Sequence, residues 1–133
     1  MSQEPSSSQA RKVFDLADEG VRPEIRLLNM ILSEGIASNA TQIRIEVAPT
    51  ACLVLVLMNG AWVEVMKVPR AVGTTLIGRI RVMTDMDRVG GKDVQEGGTS
   101  VRLGDAKIDL KVTIRQAKDG AEEALIGVAS AAA

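Results

Sequence analysis

Cys52-Leu53-Val54-Leu55-Val56-Leu57-Met58-Asn59-Gly60-Ala61-Trp62-Val63-Glu64-Val65-Met66-Lys67-Val68 spells out a strand, a turn and a returning strand. Asn-Gly is the dipeptide that accepts positive φ at both central positions of a two-residue hairpin turn. Cys52 to Leu57 is an unbroken apolar run rich in β-branched residues, which predicts a central strand covered on both faces. Trp62 to Val68 alternates as the strand that returns from the turn. Upstream, Ile43, Ile45 and Val47 alternate with polar residues, so a further strand precedes the hairpin, and Pro49-Thr50 turns the chain between them. Three antiparallel strands in succession are expected.

A helix is expected on each side of this meander. Pro23 suits a first helical turn, where its missing N–H is not needed. Ile25, Leu28, Leu32 and Ile36 then form one apolar stripe running to about Ser38, with Asn39 as a left-handed stop. Pro69 and Arg70 open a second helix, Ala71 to about Asp87, with Val72, Leu76, Ile80 and Met83 at helical spacing. Gly73 and Gly78 each weaken it by roughly 1 kcal/mol relative to Ala, so packing must hold it together. Val89 to Gly98 reads as a flexible glycine-rich loop. Ser100 to Leu103, a Gly104-Asp105 turn and Ala106 to Arg115 read as a second hairpin. After a turn at Lys118-Asp119-Gly120, Ala124 to Val128 forms a closing strand. Before all this, Met1 to Gln9 is Ser-rich and too poor in apolar residues to order itself, and Ala10 to Glu19 fits either a short helix ended by Gly20 or a linker that packs only with a partner. The expected organisation is a flexible leader over 1–20, one α+β domain over 21–128 and a frayed tail over 129–133. That domain is an antiparallel sheet of five to six strands with helices on one face.

Composition excludes much chemistry. At 133 residues the chain holds one core, and with 46% apolar but only 2% aromatic residues that core must be aliphatic. There is no histidine, and Cys52 is the only cysteine, so a disulfide framework, a His/Cys zinc site and Ser-His-Asp or Cys-His hydrolysis are all excluded within this chain. Sixteen basic residues against seventeen acidic ones give a net charge of −1 with the signs interspersed, so no nucleic-acid footprint emerges. No apolar window is long enough for a signal peptide or membrane insertion, which makes the cytoplasm the expected compartment.

Few motifs carry chemistry. Gly90-Gly91-Lys92-Asp93 lacks the spacing and the hydroxyl of a phosphate-binding loop. Asp85, Asp87, Asp93 and Glu96 are the one acidic cluster, but Asp85 and Asp87, two apart on a helix, diverge. No cofactor is expected. Trp62 reads either as a core or sheet-face residue or as an anchor for a partner. Met58 and Met66 read as core or as the wall of an adaptable binding surface.

A resemblance gives these elements a context. Glu24-Ile25-Arg26-Leu27-Leu28-Asn29-Met30-Ile31-Leu32-Ser33-Glu34-Gly35 resembles the first helix of the second N-terminal domain of type II secretion and type IV pilus assembly ATPases, the domain directly before the motor core. Ala40 to Glu46, the hairpin Leu57 to Glu64, the helix Gly78 to Asp87, Val94 to Gly104 and Asp109 to Thr113 resemble its next phrases in order and spacing. The resemblance implies a PAS-like α+β fold. It also implies that arginines of the domain reach nucleotide phosphates held by the motor, yet those positions hold Leu57, Val63, Gly98 and Lys111 here. Lysine keeps the charge but loses the planar fork. Arg79, Arg81 and Arg102 survive. The expectation is a non-catalytic interaction or regulatory module, not an enzyme, with Trp62, Arg79, Arg81, Arg102 and Lys111 as its candidate interaction residues. Its partner would be a secretion, pilus or motility component, or a second copy in a homo-oligomer. The alternatives are a PAS-like small-molecule sensor and a trans-acting piece of a split secretion ATPase.

Overall fold

A computed structural model describes residues 12–18, 22–86, 93–117 and 119–129. Along the chain come β1 (Val13–Asp15), α1 (Pro23–Ala37), β2 (Gln42–Val47), β3 (Cys52–Met58), β4 (Ala61–Val68), α2 (Arg70–Thr84), β5 (Val94–Leu103), β6 (Ala106–Gln116) and β7 (Glu122–Val128). The strands form one sheet in the order β1-β5-β6-β7-β2-β3-β4. The α+β expectation holds, and β2, β3 and β4 are the predicted meander, with Asn59 and Gly60 at φ of 53° and 79° in the turn.

The sheet departs from expectation in size and polarity. Among the described residues it has seven strands instead of five to six, and it is mixed, because β1 runs parallel to β5 with Val13 beside Ser100 and Asp15 beside Arg102. Of the stretch Ala10 to Glu19, read as a short helix or a partner-dependent linker, Val13–Asp15 are therefore strand and the next two residues turn. Leu16 extends the pairing with a backbone bond to Arg102 and is buried, and Asp15 Oδ1 accepts the Ala17 N–H at 2.9 Å to turn the chain out. The second correction concerns the glycine-rich loop. Residues 87–92 lie outside the described set, but Val94 to Gly98 are strand, zipped to β6 by a register that continues without interruption from Val94–Arg115 to Leu103–Ala106. Ladder bonds along that length outweigh the poor strand propensity of Gly97 and Gly98.

Both helices lie on one face. Leu28, Ile31 and Leu32 of α1 and Leu76, Ile77 and Ile80 of α2 are buried with Ile43, Ile45, Val47, Val54, Val101, Ile108, Ile114 and Ile126 in an aliphatic core. Each such side chain contributes roughly 1.5–3 kcal/mol by leaving water. Asn39 stops α1 at φ 63°, as expected. Asp85 at φ 61° caps α2 slightly before the predicted end at residue 87. Gly73 lets α2 rest directly on the sheet: a Cβ there would stand 2.5 Å from the Cys52 Cβ and 3.0 Å from a Val47 methyl. Cys52 is fully buried beneath it, and burial, reinforced by the charge of Glu46, pushes its thiol from 9.0 up to about 11. No described helix is long and apolar enough to cross a membrane.

Candidate functional site

Strand side chains alternate between faces, so the residues of β2, β3 and β7 that do not meet the helices project on the opposite side. Cys52, Val54 and Val56 are buried under the helices, while Leu53, Leu55 and Leu57 are half-buried on the other face, where no described helix covers them. Among the described residues, the predicted two-sided cover of this strand is thus present on one side only. Leu125 of β7 joins the leucines through the register Leu55–Arg44–Leu125.

Arg44 organises this open face. Its guanidinium reaches across β3 and lies 4.3 Å from the centre of the Trp62 ring. Its Nε is 2.8 Å from Glu46 Oε2 and 3.6 Å from Glu123 Oε2. That nitrogen makes no aligned hydrogen bond, so these are ion contacts in which one cation serves two carboxylates. The service is needed because Glu46 and Glu123 stand directly opposite each other on β2 and β7, where like charges repel. The aliphatic stem of an arginine crossing a strand also shields apolar side chains below it. The result is a built surface: an aromatic ring, half-buried leucines and a fixed cation between acids.

The candidates named from sequence do not converge. Trp62 belongs to this face, which realises the sheet-face reading and leaves the ring accessible in part. Lys111 lies in the same cross-strand row, but β3, β2 and β7 separate it from Trp62, and its neighbours in the row are Gly98 and Gly127. Arg102 is exposed on β5 between Asp15 and Lys107. The other two are on the helix side. Arg79 places its guanidinium 5.1 Å from the Phe14 ring centre, and its Nε is buried without a hydrogen-bond partner. Arg81 is 7% exposed, with Nη2 donating to Glu122 Oε1 at 2.9 Å and Nε to Gln95 Oε1 at 3.5 Å. It ties α2 to the start of β7. Arg44, which sequence reasoning passed over, was visible only as the charged residue within an alternating strand, and no local signal pairs it with Trp62.

A second apolar feature borders β4. Met30, Ile31, Glu34, Val56, Met58, Val65 and Met66 line a cleft of about 250 Å³ between α1 and the β3–β4 hairpin. Met58 and Met66 are half-buried against the core, in line with the core reading, and also line this cleft.

Fold and face together define an α+β domain with one sheet face packed by helices and the other left as an aliphatic, arginine-centred surface. A family model described as Type II/IV secretion system protein matches residues 17–119, and the chain belongs to that family. Type II secretion system protein E of Pseudomonas aeruginosa is 31% identical over 115 residues, which are 86% of this chain and 23% of that protein. The protein of the same name from Aeromonas hydrophila is 31% identical over 105 residues, 79% of this chain and 21% of its own length. The chain thus spans about a fifth of the length of the curated relatives it matches. Among solved structures, the X-ray structure of the Legionella pneumophila ATPase DotB superposes on 87% of this chain with a TM-score of 0.58, over 32% of its own length and at 12% identity, which shows a shared fold.

Proposed function

We propose that this chain is a non-catalytic protein-interaction module of a type II secretion, type IV pilus or related motility machine, and that it binds its partner through the helix-free face of the sheet. The observation that carries this reading is the leucine row Leu53, Leu55 and Leu57: a strand patterned for cover on both faces has cover on one among the described residues. A partner supplying the second layer would bury that row together with the Trp62 ring and would meet the Arg44 ion contacts in the middle of the face. The absence of ATPase activity is supported by the resemblance, since the positions expected to hold phosphate-reaching arginines carry Leu57, Val63, Gly98 and Lys111. Arg81, which kept its place in sequence, is engaged by Glu122 within the fold.

Two measurements test the reading together. The purified chain is expected to hydrolyse no ATP above background, and turnover that follows it through every purification step would overturn the non-catalytic assignment. Biolayer interferometry against the purified secretion or pilus motor ATPase of the same organism is expected to show binding. Leu55→Glu should weaken that binding by at least ~10-fold, because it replaces an apolar side chain in the contact with a carboxylate that must shed its water. Equal binding by the folded variant would move the interface off this face.

A further inference from the structure

The β4 edge carries its own instructions for a partner. β4 ends the sheet, so along one side its N–H and C=O groups have no described strand beside them. Three of the most exposed large apolar residues cluster there: Val65 at 53%, Met30 at 44% and Val63 at 40%. The strand also has an irregularity. Met66 pairs with Val54 and Glu64 with Leu55, so Val65 is bulged out of the ladder. On an unbulged strand Glu64 and Lys67, three apart, would project from opposite faces. The bulge brings both to the helix-free face, Glu64 beside Leu55 and Lys67 beside Leu53.

We infer that the β4 edge pairs antiparallel with the β4 edge of a second copy of this chain, about a two-fold axis between Val65 and Met66. In that register Glu64 faces Lys67 of the second copy, and Lys67 faces Glu64 of the second copy, so the same opposite-charge pair forms twice. Val63 faces Val68, and the bulged Val65 meets Met66 of the second copy, beside the cleft that Met30 and Met58 line. Charge selects this register. Centring the axis on Glu64 or on Lys67 sets like charges opposite each other, and centring it on Val65 or Met66 leaves each charge against an apolar side chain. A bulge ordinarily discourages edge pairing; here it is what aligns the two charges on one face. The inference is independent of the helix-free face, since that face stays open in a dimer joined edge to edge.

Sedimentation equilibrium on the full chain, from about 1 to 100 µM, tests this against the affinities of ordinary protein contacts. A monomer–dimer equilibrium is expected. Glu64→Lys and Lys67→Glu, both at exposed positions, should each raise the dimer dissociation constant by at least ~10-fold through like-charge contact, and the double reversal E64K/K67E should restore it. A wild type that stays monomeric throughout, a dimer indifferent to both single reversals, or a double reversal that fails to recover would overturn the proposal. Leu125→Glu, on the helix-free face but three strands away from β4, should leave the dimer intact.

Discussion

The two faces of the sheet are built from the same strands and from alternate residues of the same run, yet they solve opposite problems. Towards the helices, β3 presents Cys52, Val54 and Val56, short side chains that let α1 and α2 approach until Gly35 and Gly73 touch the sheet. Away from them it presents Leu53, Leu55 and Leu57, longer side chains with no described layer above. Each face is tied by an arginine. Arg81 is enclosed with Glu122, the two side chains 8% and 12% exposed, whereas Arg44 is 25% exposed and bridges Glu46 and Glu123 over a sheet surface. The lesson is that burial, and not the presence of an ion pair, decides what an arginine does for this fold.

The largest effect should come from separating the enclosed pair. Glu122→Ala would leave the Arg81 guanidinium inside the protein with only Gln95, among the described residues, to accept from it, at a loss of roughly 3–5 kcal/mol. The urea midpoint measures this, and R81M/E122L should regain most of it by putting two apolar chains of similar bulk in place of the charges. If E122A proved nearly neutral, the pair would be behaving as a surface bridge and the contrast between the faces would fail.

Next comes the closeness of the helix layer. Gly73→Ala sets a methyl group against the Cys52 Cβ, which is fixed to the β3 backbone, and should destabilise by ~1–3 kcal/mol. Gly35→Ala should lose less, because the nearest atom, 2.6 Å away, is the tip of the Ile43 side chain and can swing aside. Thiol labelling gives an independent readout. With its pKa at about 11 and its sulfur enclosed, native Cys52 should resist alkylation at about pH 8, and G73A should speed the reaction by loosening the lid. In the same helix, Gly78 has open space where a Cβ would go, so Gly78→Ala should stabilise by about 0.5–1 kcal/mol. The sequence treats these glycines alike, and only the layer beneath one of them makes them different.

That pair shows where sequence reading stops. Both helices, the Asn59-Gly60 hairpin and the β2–β3–β4 meander were legible because periodicity and turn chemistry are local. Val13–Asp15 and Val94–Gly98 were misread because their strand character comes from partners distant in sequence, β1 and β6 each pairing with β5. The site was legible in the same proportion. Trp62, beside its turn, could be singled out, but the burial of Arg81 depends on Glu122, forty-one positions on, and the role of Arg44 depends on Glu123 and on a ring two strands away.

The smallest expected effect belongs to the open face and is the most discriminating. Arg44→Ala removes the cation over Trp62 and leaves Glu46 and Glu123 facing each other, a loss of about 0.5–1 kcal/mol at low ionic strength. Both parts of that loss are electrostatic and partly exposed to solvent. Raising the salt to about 1 M, where screening acts within ~3 Å, should therefore shrink the difference between R44A and the wild type towards zero. The E122A deficit should change little over the same range, because no counter-ion reaches the enclosed guanidinium. Urea titrations of both variants at low and high salt would place the two arginines on one scale. A salt-insensitive R44A deficit would mean that Arg44 acts by packing over the leucines, and it would then matter to any partner on that face as apolar cover more than as charge.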